Sequence, residues 1–353
     1  MQEKIRLGLV GLNFGHHVAG MIMADPTLPV QMTKVCDLDQ EKAARAAKEF
    51  GVGFSPSLDA LLADPEIDAI GLYSGPNGRA QLISKIIRAG KHVMTTKPFE
   101  NDPQAALDVL YEARKLGKVV HMNSPNARPI GEAAVIHEWI DAGLIGRPTI
   151  AQAHVWTNYG PAVPEPQEKP QPAPAAPTSW YDDPLRCPVA PIFRLGIYPL
   201  NVLLDVFGQA TTVQVMHSRV YTQKLPPDNA SMTVGFENGG IINIVGSFVV
   251  GGPDKYTNTL TIGGTKGVIY YRTGPVSRDG GPVEIILSTY EQVQRRTLTT
   301  GTGMYDWEFF AQRIRGEVAQ DVTTPEQIAQ AISVIVAMSQ AEQTGQMAKV
   351  TPI

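Results

Sequence analysis

The sequence predicts an α/β protein with an amino-terminal doubly wound parallel sheet, followed by an α+β domain built on a largely antiparallel sheet. Three observations point there. Over the first 123 residues, short apolar runs alternate with helical patterns of ten or more residues. Beyond Pro125 the rhythm changes to strand-like runs joined by short turns such as Glu237-Asn238-Gly239-Gly240. A glycine-containing turn joins the first strand to the first helix. A length of 353 residues fits two domains, which the change of rhythm places at 1–123 and 124–353.

Taken in order, Ile5–Gly11 reads as a strand, His16–Ala24 as a helix, Thr33–Asp37 as a strand and the Ala-rich stretch Gln40–Phe50 as a helix. Ala69–Tyr73, His92–Thr95 and Val119–Met122 read as further strands, separated by helices near Gly78–Ala89 and Pro103–Leu116. Apolar residues on both faces of such strands predict a parallel sheet covered on both sides, and right-handed crossovers make it doubly wound. A helix carrying Ala134, Ile136, Trp139, Ile140 and Leu144 opens the second domain. Strands follow at Thr149–Thr157, Thr212–Val220, Ser231–Phe236, Ile241–Val249, Asn258–Ile262, Val268–Tyr271 and Val283–Leu287, and helices Met304–Arg315 and Pro325–Thr344 close the chain. Pro161–Pro177 holds seven prolines and reads either as a surface loop or as a semi-rigid arm over a site or a neighbouring subunit.

Thirty Lys and Arg against 34 Asp and Glu leave a formal charge of −4, which offers no electrostatic reason for a nucleic-acid or anionic-membrane partner. With 43 % apolar and 18 % charged residues, the chain can bury a large core. Two cysteines, Cys36 and Cys187, cannot build a disulfide framework or a zinc cluster, so a reducing, cytoplasmic setting is expected. No spanning segment is visible. The His, Asp and Glu residues show no metal-ligand spacing, so no metal is expected.

Gly8-Leu-Val-Gly11-Leu-Asn13-Phe14-Gly15-His16 lies where the first strand turns into the first helix. A pyrophosphate suits that position, because a helix N-terminus offers unsatisfied N–H groups and a positive dipole end. Strict G-x-G-x-x-G spacing from Gly11 puts Asn13 and His16 at the later glycine positions. Asn tolerates left-handed dihedrals, and Gly15 can supply the close contact one residue earlier. Gly11, Asn13, Phe14 and Gly15 are therefore candidate cofactor contacts. Val35-Cys36-Asp37 ends the second strand in a carboxylate 26 positions past Gly11, where a dinucleotide's adenosine ribose is recognised. No Lys or Arg follows immediately, and a carboxylate repels a 2′-phosphate, so NAD is expected over NADP. A helix N-cap is the alternative role for Asp37, with Asp39 equally available for it.

Further motifs carry a resemblance. Tyr73-Ser74-Gly75-Pro76-Asn77, Ala89-Gly90-Lys91-His92-Val93 running to Thr96-Lys97-Pro98, Trp139-Ile-Asp-Ala-Gly143-Leu-Ile-Gly146, Gly196-Ile197-Tyr198-Pro-Leu-Asn201, Asp228-Asn-Ala230 and Ile262-Gly-Gly-Thr265-Lys266-Gly267 follow one another in the chain. In order and spacing they resemble the glucose–fructose oxidoreductase, inositol dehydrogenase and rhizopine-catabolism superfamily (Gfo/Idh/MocA). The resemblance implies an NAD(P)-binding Rossmann domain, an open-faced sheet domain, an active site between them, and homodimers or homotetramers through the outer face of the second sheet. It also implies hydride transfer between nicotinamide and a hydroxyl-bearing carbon of a sugar or cyclitol, and it adds Ser74, Pro76 and Asn77 to the cofactor contacts. The chain departs from the family pattern at Thr96 (usually Glu), Ala80 (often His), Arg194 (often Asp), Tyr198 (often His) and Asn201 (commonly Asp).

Oxidising an alcohol needs a base for the hydroxyl proton while the cofactor takes the hydride. Lys97 follows a strand at the carboxyl edge of the parallel sheet, where ligands bind in this architecture, and Pro98 restrains it. An exposed loop lysine is the plainer reading. Arg194, Tyr198, Asn201 and Asp205 fall at helical spacing on an otherwise apolar segment, which makes either an ordinary solvent face or a stripe toward the cofactor. With the resemblance, Tyr198 is the general acid/base or a carbonyl-orienting hydroxyl, supported by Lys97, itself able to act as base or as hydrogen-bond donor, while Arg194 favours a carboxylated or phosphorylated substrate. His121 and Asn123 end the strand before the crossover and are expected to orient substrate, and Trp156 and Trp180 to form an apolar wall for a sugar face, unless they are core aromatics.

The expected function is an oxidoreductase moving a hydride between nicotinamide and a sugar, cyclitol or related polyol. Two alternatives stay open: an NAD-dependent hydrolase or epimerase that recycles its cofactor, and a non-catalytic NAD- or sugar-binding protein.

Overall fold

A computed structural model describes residues 3–123, 131–157, 180–220, 226–250, 256–273, 282–299, 306–318 and 323–353. The Pro-rich stretch 161–177 lies outside them. The residues pack as two units: Met1–Glu100 with Gln104–Ser124 and Met304–Pro325, and Asn101–Pro103 with Pro125–Gly303 and Glu326–Ile353.

In the first unit, β1 (Ile5–Val10), β2 (Val30–Cys36), β3 (Gly53–Phe54), β4 (Ala69–Leu72), β5 (His92–Thr96) and β6 (Val120–Asn123) form a six-stranded sheet in the order β3-β2-β1-β4-β5-β6. Every pairing in it is parallel. Helices α1 (Gly15–Ala24), α2 (Gln40–Phe50), α3 (Leu58–Leu62), α4 (Arg79–Arg88) and α5 (Pro103–Lys115) make the crossovers. Leu7, Leu9, Val35, Ile70, Leu72, Val93 and Met94 are fully buried, as the continuous apolar strands require. The order reverses between β1 and β4, the place where a doubly wound sheet opens a crevice at its carboxyl edge. The two-residue strand β3 and the short helix α3 have no counterpart in the sequence reading, because neither is long enough to show a period.

Helix α8 (Trp307–Arg315) belongs to this unit as well. Trp307, Phe310 and Ala311 join its core, and Arg313 donates to the Val120 carbonyl at 3.4 Å. The sequence reading assigned all of 124–353 to the second domain. Spacing of three and four marks an amphipathic helix, but says nothing of which sheet its apolar stripe covers.

The second unit is a nine-stranded sheet in the order β14-β13-β12-β11-β7-β10-β9-β8-β15. Its strands are β7 (Pro148–Thr157), β8 (Ala210–Ser218), β9 (Asn229–Phe236), β10 (Ile241–Ser247), β11 (Tyr256–Gly264), β12 (Gly267–Thr273), β13 (Pro282–Thr289), β14 (Val293–Thr299) and β15 (Ala348–Lys349). Only β7 and β10 run parallel; the other pairings are antiparallel. Alternate residues such as Ala151, Ala153, Ile242, Ile244, Leu260 and Ile262 join one core with side chains of α6 (Gly131–Asp141), α7 (Ile197–Phe207) and α9 (Pro325–Thr344). The intervening residues Ile150, Ile241 and Tyr270 are exposed, as period-two alternation demands. Among the described residues no helix is long and apolar enough to cross a membrane, and no three His, Cys, Asp or Glu side chains group as metal ligands.

Candidate functional site

At the carboxyl edge of the first sheet, Gly11 adopts φ +87°. A Cβ there would lie 3.0 Å from the Tyr73 carbonyl carbon and oxygen, so both the dihedral and the close approach call for glycine. The Gly11 amide donates to the Cys36 carbonyl at 2.9 Å. Gly15 opens α1 against Leu9 and Tyr73: an added Cβ would come within 2.8 Å of Leu9 Cδ2 and 3.1 Å of Tyr73 Cδ2. This is the close helix–strand packing that a dinucleotide turn demands of its last glycine, reached one residue early. Phe14 meets Tyr73 edge-on at 6.1 Å. Side chains cap α2 (Asp39), α3 (Ser57) and α8 (Asp306), whereas the N-cap residue of α1, like those of α4 and α7, makes no such bond; the His17 amide of α1 donates to the Phe14 carbonyl at 3.0 Å, so an anion there would meet the amides of Gly15 and His16.

Asp37 follows β2. Its Oδ2 accepts from the Leu12 amide at 2.6 Å and its Oδ1 from the Asp39 amide at 3.0 Å. Asp39, not Asp37, caps α2 by accepting from the Lys42 amide at 3.0 Å. The Lys42 ammonium stands 3.6 Å from Asp37 Oδ2 and donates to Asn13 Oδ1. The sequence reading passed over Lys42, since it stands five positions after Asp37; the first turn of α2 brings it back to the strand end. Burial, and secondarily the Asp37 charge, raise the Cys36 thiol above its ordinary range, so Cys36 is an inert strand residue.

The turn after β4 carries Ser74, Pro76 and Asn77. Pro76 is buried and Asn77 exposed, and Ser74 Oγ is buried with no hydrogen-bond partner among the described residues. A hydroxyl left so is an open position for a ligand group. Lys97 follows β5, half-buried, joined to Pro98 by a cis peptide. Strand register aligns Val10 with both Cys36 and Leu72, Leu72 with Thr95, and Thr96 with Asn123. The unit thus gathers Gly11, Asn13, Phe14, Gly15, Asp37, Ser74, Pro76, Asn77, Lys97 and Asn123 along one sheet edge. Asn123 is 4 % exposed.

His121 departs from expectation. Its ring is 2 % exposed and packs 6.2 and 5.9 Å from the Phe309 and Phe310 rings of α8, with Nδ1 unpartnered among the described residues. Burial, aided by Arg313, lowers its pKa to about 3. A neutral imidazole held in the core of the first unit fits packing better than substrate contact, because α8 covers the face it was expected to open.

In the second unit, Arg194 lies in a π-helical turn, Ile192–Gly196, that runs into α7. Val189, just before it, holds φ +44°, a costly conformation for a β-branched side chain. Gly246 of β10 admits this segment: a Cβ there would sit 3.0 Å from the Pro191 backbone. Arg194, Tyr198, Asn201 and Asp205 are half-buried while Phe193, Ile197, Leu200, Leu203 and Leu204 are buried, so the polar stripe exists. Its last member is committed elsewhere: Asp205 accepts from Gln327 at 2.7 Å and pairs with His137 at 2.9 Å. The Arg194 guanidinium lies 4.6 Å from the Tyr181 ring centroid and 4.9 Å from that of Phe248, both within cation–π range. Trp180 stacks on Tyr181 at 3.9 Å and meets Phe193 edge-on at 6.5 Å. Tyr181 and Phe248 were not singled out from sequence; Tyr181 adjoins Trp180 in the chain, and that adjacency is the one signal that could have found it.

The sheet order and the turn at Gly11 define a dinucleotide-binding domain. Comparison with known proteins agrees. Residues 5–124 match a family model described as an oxidoreductase family with an NAD-binding Rossmann fold, and residues 133–270 match the GFO/IDH/MocA C-terminal domain. The chain belongs to the Gfo/Idh/MocA family. It is 29 % identical over 154 residues to levoglucosan dehydrogenase of Pseudarthrobacter phenanthrenivorans, covering 41 % of this chain and 39 % of that protein; the match therefore spans about two fifths of that relative. Among solved structures, a levoglucosan dehydrogenase complex with NADH and L-sorbose superposes with TM-score 0.74 at 17 % identity, covering all of both chains. A 3-ketoreductase variant from Actinomadura kijaniata, in complex with TDP-benzene and NADP, gives 0.72 at 16 % identity, covering 97 % of this chain and 98 % of that one. At such identities the likeness is one of fold.

Proposed function

We propose that this chain is a nicotinamide-dependent oxidoreductase that moves a hydride between its cofactor and a sugar, cyclitol or related polyol. The observation that carries the reading is the phosphate turn, with Gly11 pressed on the Tyr73 carbonyl, an uncapped α1 and the unpartnered Ser74 hydroxyl beside it. These features fit a dinucleotide: α1 amides and the Gly11 turn would hold the pyrophosphate, Asp37 the adenosine ribose, and Ser74, Pro76 and Asn77 the nicotinamide half. The bound cofactor supplies hydride acceptance and donation. The first unit holds that group, and the second supplies substrate contacts.

The chain's own residues do the rest. Tyr198 exchanges a proton at its Oη with the substrate hydroxyl, and the Lys97 ammonium supports the reaction as a hydrogen-bond donor. Arg194, Asn201 and Trp180 bind substrate, Arg194 favouring an anionic group and Trp180 a sugar face. The strain at Val189 and the π turn before Tyr198 fit a functional segment. Asn123 at the sheet edge orients substrate.

NAD is proposed over NADP, because Asp37 places a carboxylate where a 2′-phosphate would stand; Lys42 at 3.6 Å offsets part of that charge. A second copy of the chain is proposed to cover the outer face of the nine-stranded sheet, where Ile150 and Ile241 are 58 % and 51 % exposed, making a homodimer or homotetramer. Reduced, buried Cys36 and Cys187 fit the cytoplasm. The test is an absorbance assay of NADH and NADPH against a panel of polyols, sugar acids and keto-sugars. Turnover of at least one compound, abolished by Lys97→Ala, supports the reading; NADH binding without any turnover would instead mark a non-catalytic binding protein.

A further inference from the structure

We propose that Arg79, held in place by Glu100, is a positioning residue that sets the Lys97 turn and the Ser74 turn against each other. The inference rests on the reading of Lys97 and Ser74 given above. Arg79 opens α4 and is 1 % exposed. Its Nη1 donates to the carbonyls of Thr96 at 2.7 Å and Phe99 at 3.2 Å, and to that of Pro98; Nη2 donates to the Ser74 carbonyl. Thr96 and Pro98 flank Lys97, so the chain is gripped on both sides of that lysine. The same guanidinium also grips the segment that presents the Ser74 hydroxyl.

The grip is reciprocal. Glu100, 4 % exposed, ends the Lys97 turn, and its carboxylate accepts from the amides of Gly78 at 3.2 Å and Ala80 at 2.8 Å. Those residues flank Arg79. Two buried charged side chains, each bonded to the backbone of the other's segment, thus lock the loops after β4 and β5 into one geometry. Charge-assisted bonds of this kind are stronger than neutral ones. A planar guanidinium spreads its donors over a fixed fork, whereas a lysine carries three donors on one nitrogen and cannot span both loops.

The experiment uses the full chain and two readouts besides turnover: NADH affinity by fluorescence titration, and the rate at which Lys97 is acetylated by acetic anhydride, with and without NADH, read by mass spectrometry. Exposed Lys48 serves as the internal reference. In the unaltered protein NADH is expected to shield Lys97 from labelling. Folded Arg79→Lys is expected to label Lys97 at an altered rate, to lose most of that shielding, and to bind NADH at least about tenfold more weakly, since a displacement of about an ångström can cost a hundredfold in function. Glu100→Gln, which keeps Arg79 but weakens its anchor, should move the same readouts in the same direction, and decides the matter if the Arg79 variant does not fold. Variants that label and shield Lys97 as the unaltered protein does, at unchanged NADH affinity, overturn the proposal. Absence of shielding in the unaltered protein would instead sink the placement of Lys97 beside the cofactor.

Discussion

The Leu12 amide donates to the Asp37 carboxylate at 2.6 Å, tying the turn after β1 to the end of β2. Asp37 therefore shapes the Gly11 turn and, in the proposed function, sets the charge beside the adenosine ribose. The neighbouring Lys42 ammonium works against that charge. Replacing Asp37 by Asn is expected to lower the ratio of NADPH to NADH dissociation constants by about tenfold, roughly 1.4 kcal/mol, because the repulsion is lost while a hydrogen-bond acceptor remains. Lys42→Ala should raise the ratio. Both are measured by fluorescence titration at one fixed salt concentration.

Gly11→Ala tests the turn itself. A residue with a Cβ at φ +87° and 3.0 Å from the Tyr73 carbonyl costs about 1–3 kcal/mol in backbone strain. The expected outcome is a lower thermal midpoint together with loss of NADH binding. An unchanged midpoint and affinity would show that the turn tolerates bulk there.

Arg194 lies against the Tyr181 and Phe248 rings, a contact worth about 0.5–2 kcal/mol. Removing the cation by Arg194→Ala should weaken binding of sugar acids much more than of neutral polyols, read as the ratio of kcat/KM for the two classes. Equal losses for both classes would remove the case for an anionic substrate.

The buried His121 predicts a pH dependence of stability. Burial lowers its pKa in the folded chain to about 3 from an ordinary 6.5, so below pH 6.5 the unfolded chain binds a proton that the folded one refuses. The His121 contribution is therefore nil above pH 7 and costs stability as pH drops from 6.5 toward 3, by about 1.4 kcal/mol per unit. Urea midpoints at pH 7 and pH 5 should differ by less in a His121→Phe variant than in the unaltered protein.

Most of the first unit was legible because its signals are local. Apolar strands and helix periods are set by residues within a few positions of one another, the glycines at 11 and 15 mark the turn by themselves, and Asp37 is placed by the strand that carries it. The polar stripe of Arg194, Tyr198 and Asn201 was legible for the same reason, from helical spacing. What the chain does over long separations was not. Lys42 reaches Asp37 only through the wrap of α2, Arg79 finds the carbonyls around Lys97 beyond the rest of α4 and β5, and α8 returns to the first sheet after some 180 residues of the second unit. The burial of His121 against Phe309 and Phe310 was not legible either, because the helix that covers it lies so far along the chain.

The most direct test of the account is a crystal structure of the chain grown with NADH. It predicts the pyrophosphate on the amides at Gly11–Gly15, the adenosine ribose at Asp37, and the nicotinamide ring within hydrogen-bonding or contact distance of Lys97 Nζ and Tyr198 Oη. An ordered NADH bound away from the Gly11 turn, or seated there with its ring remote from both side chains, would contradict it.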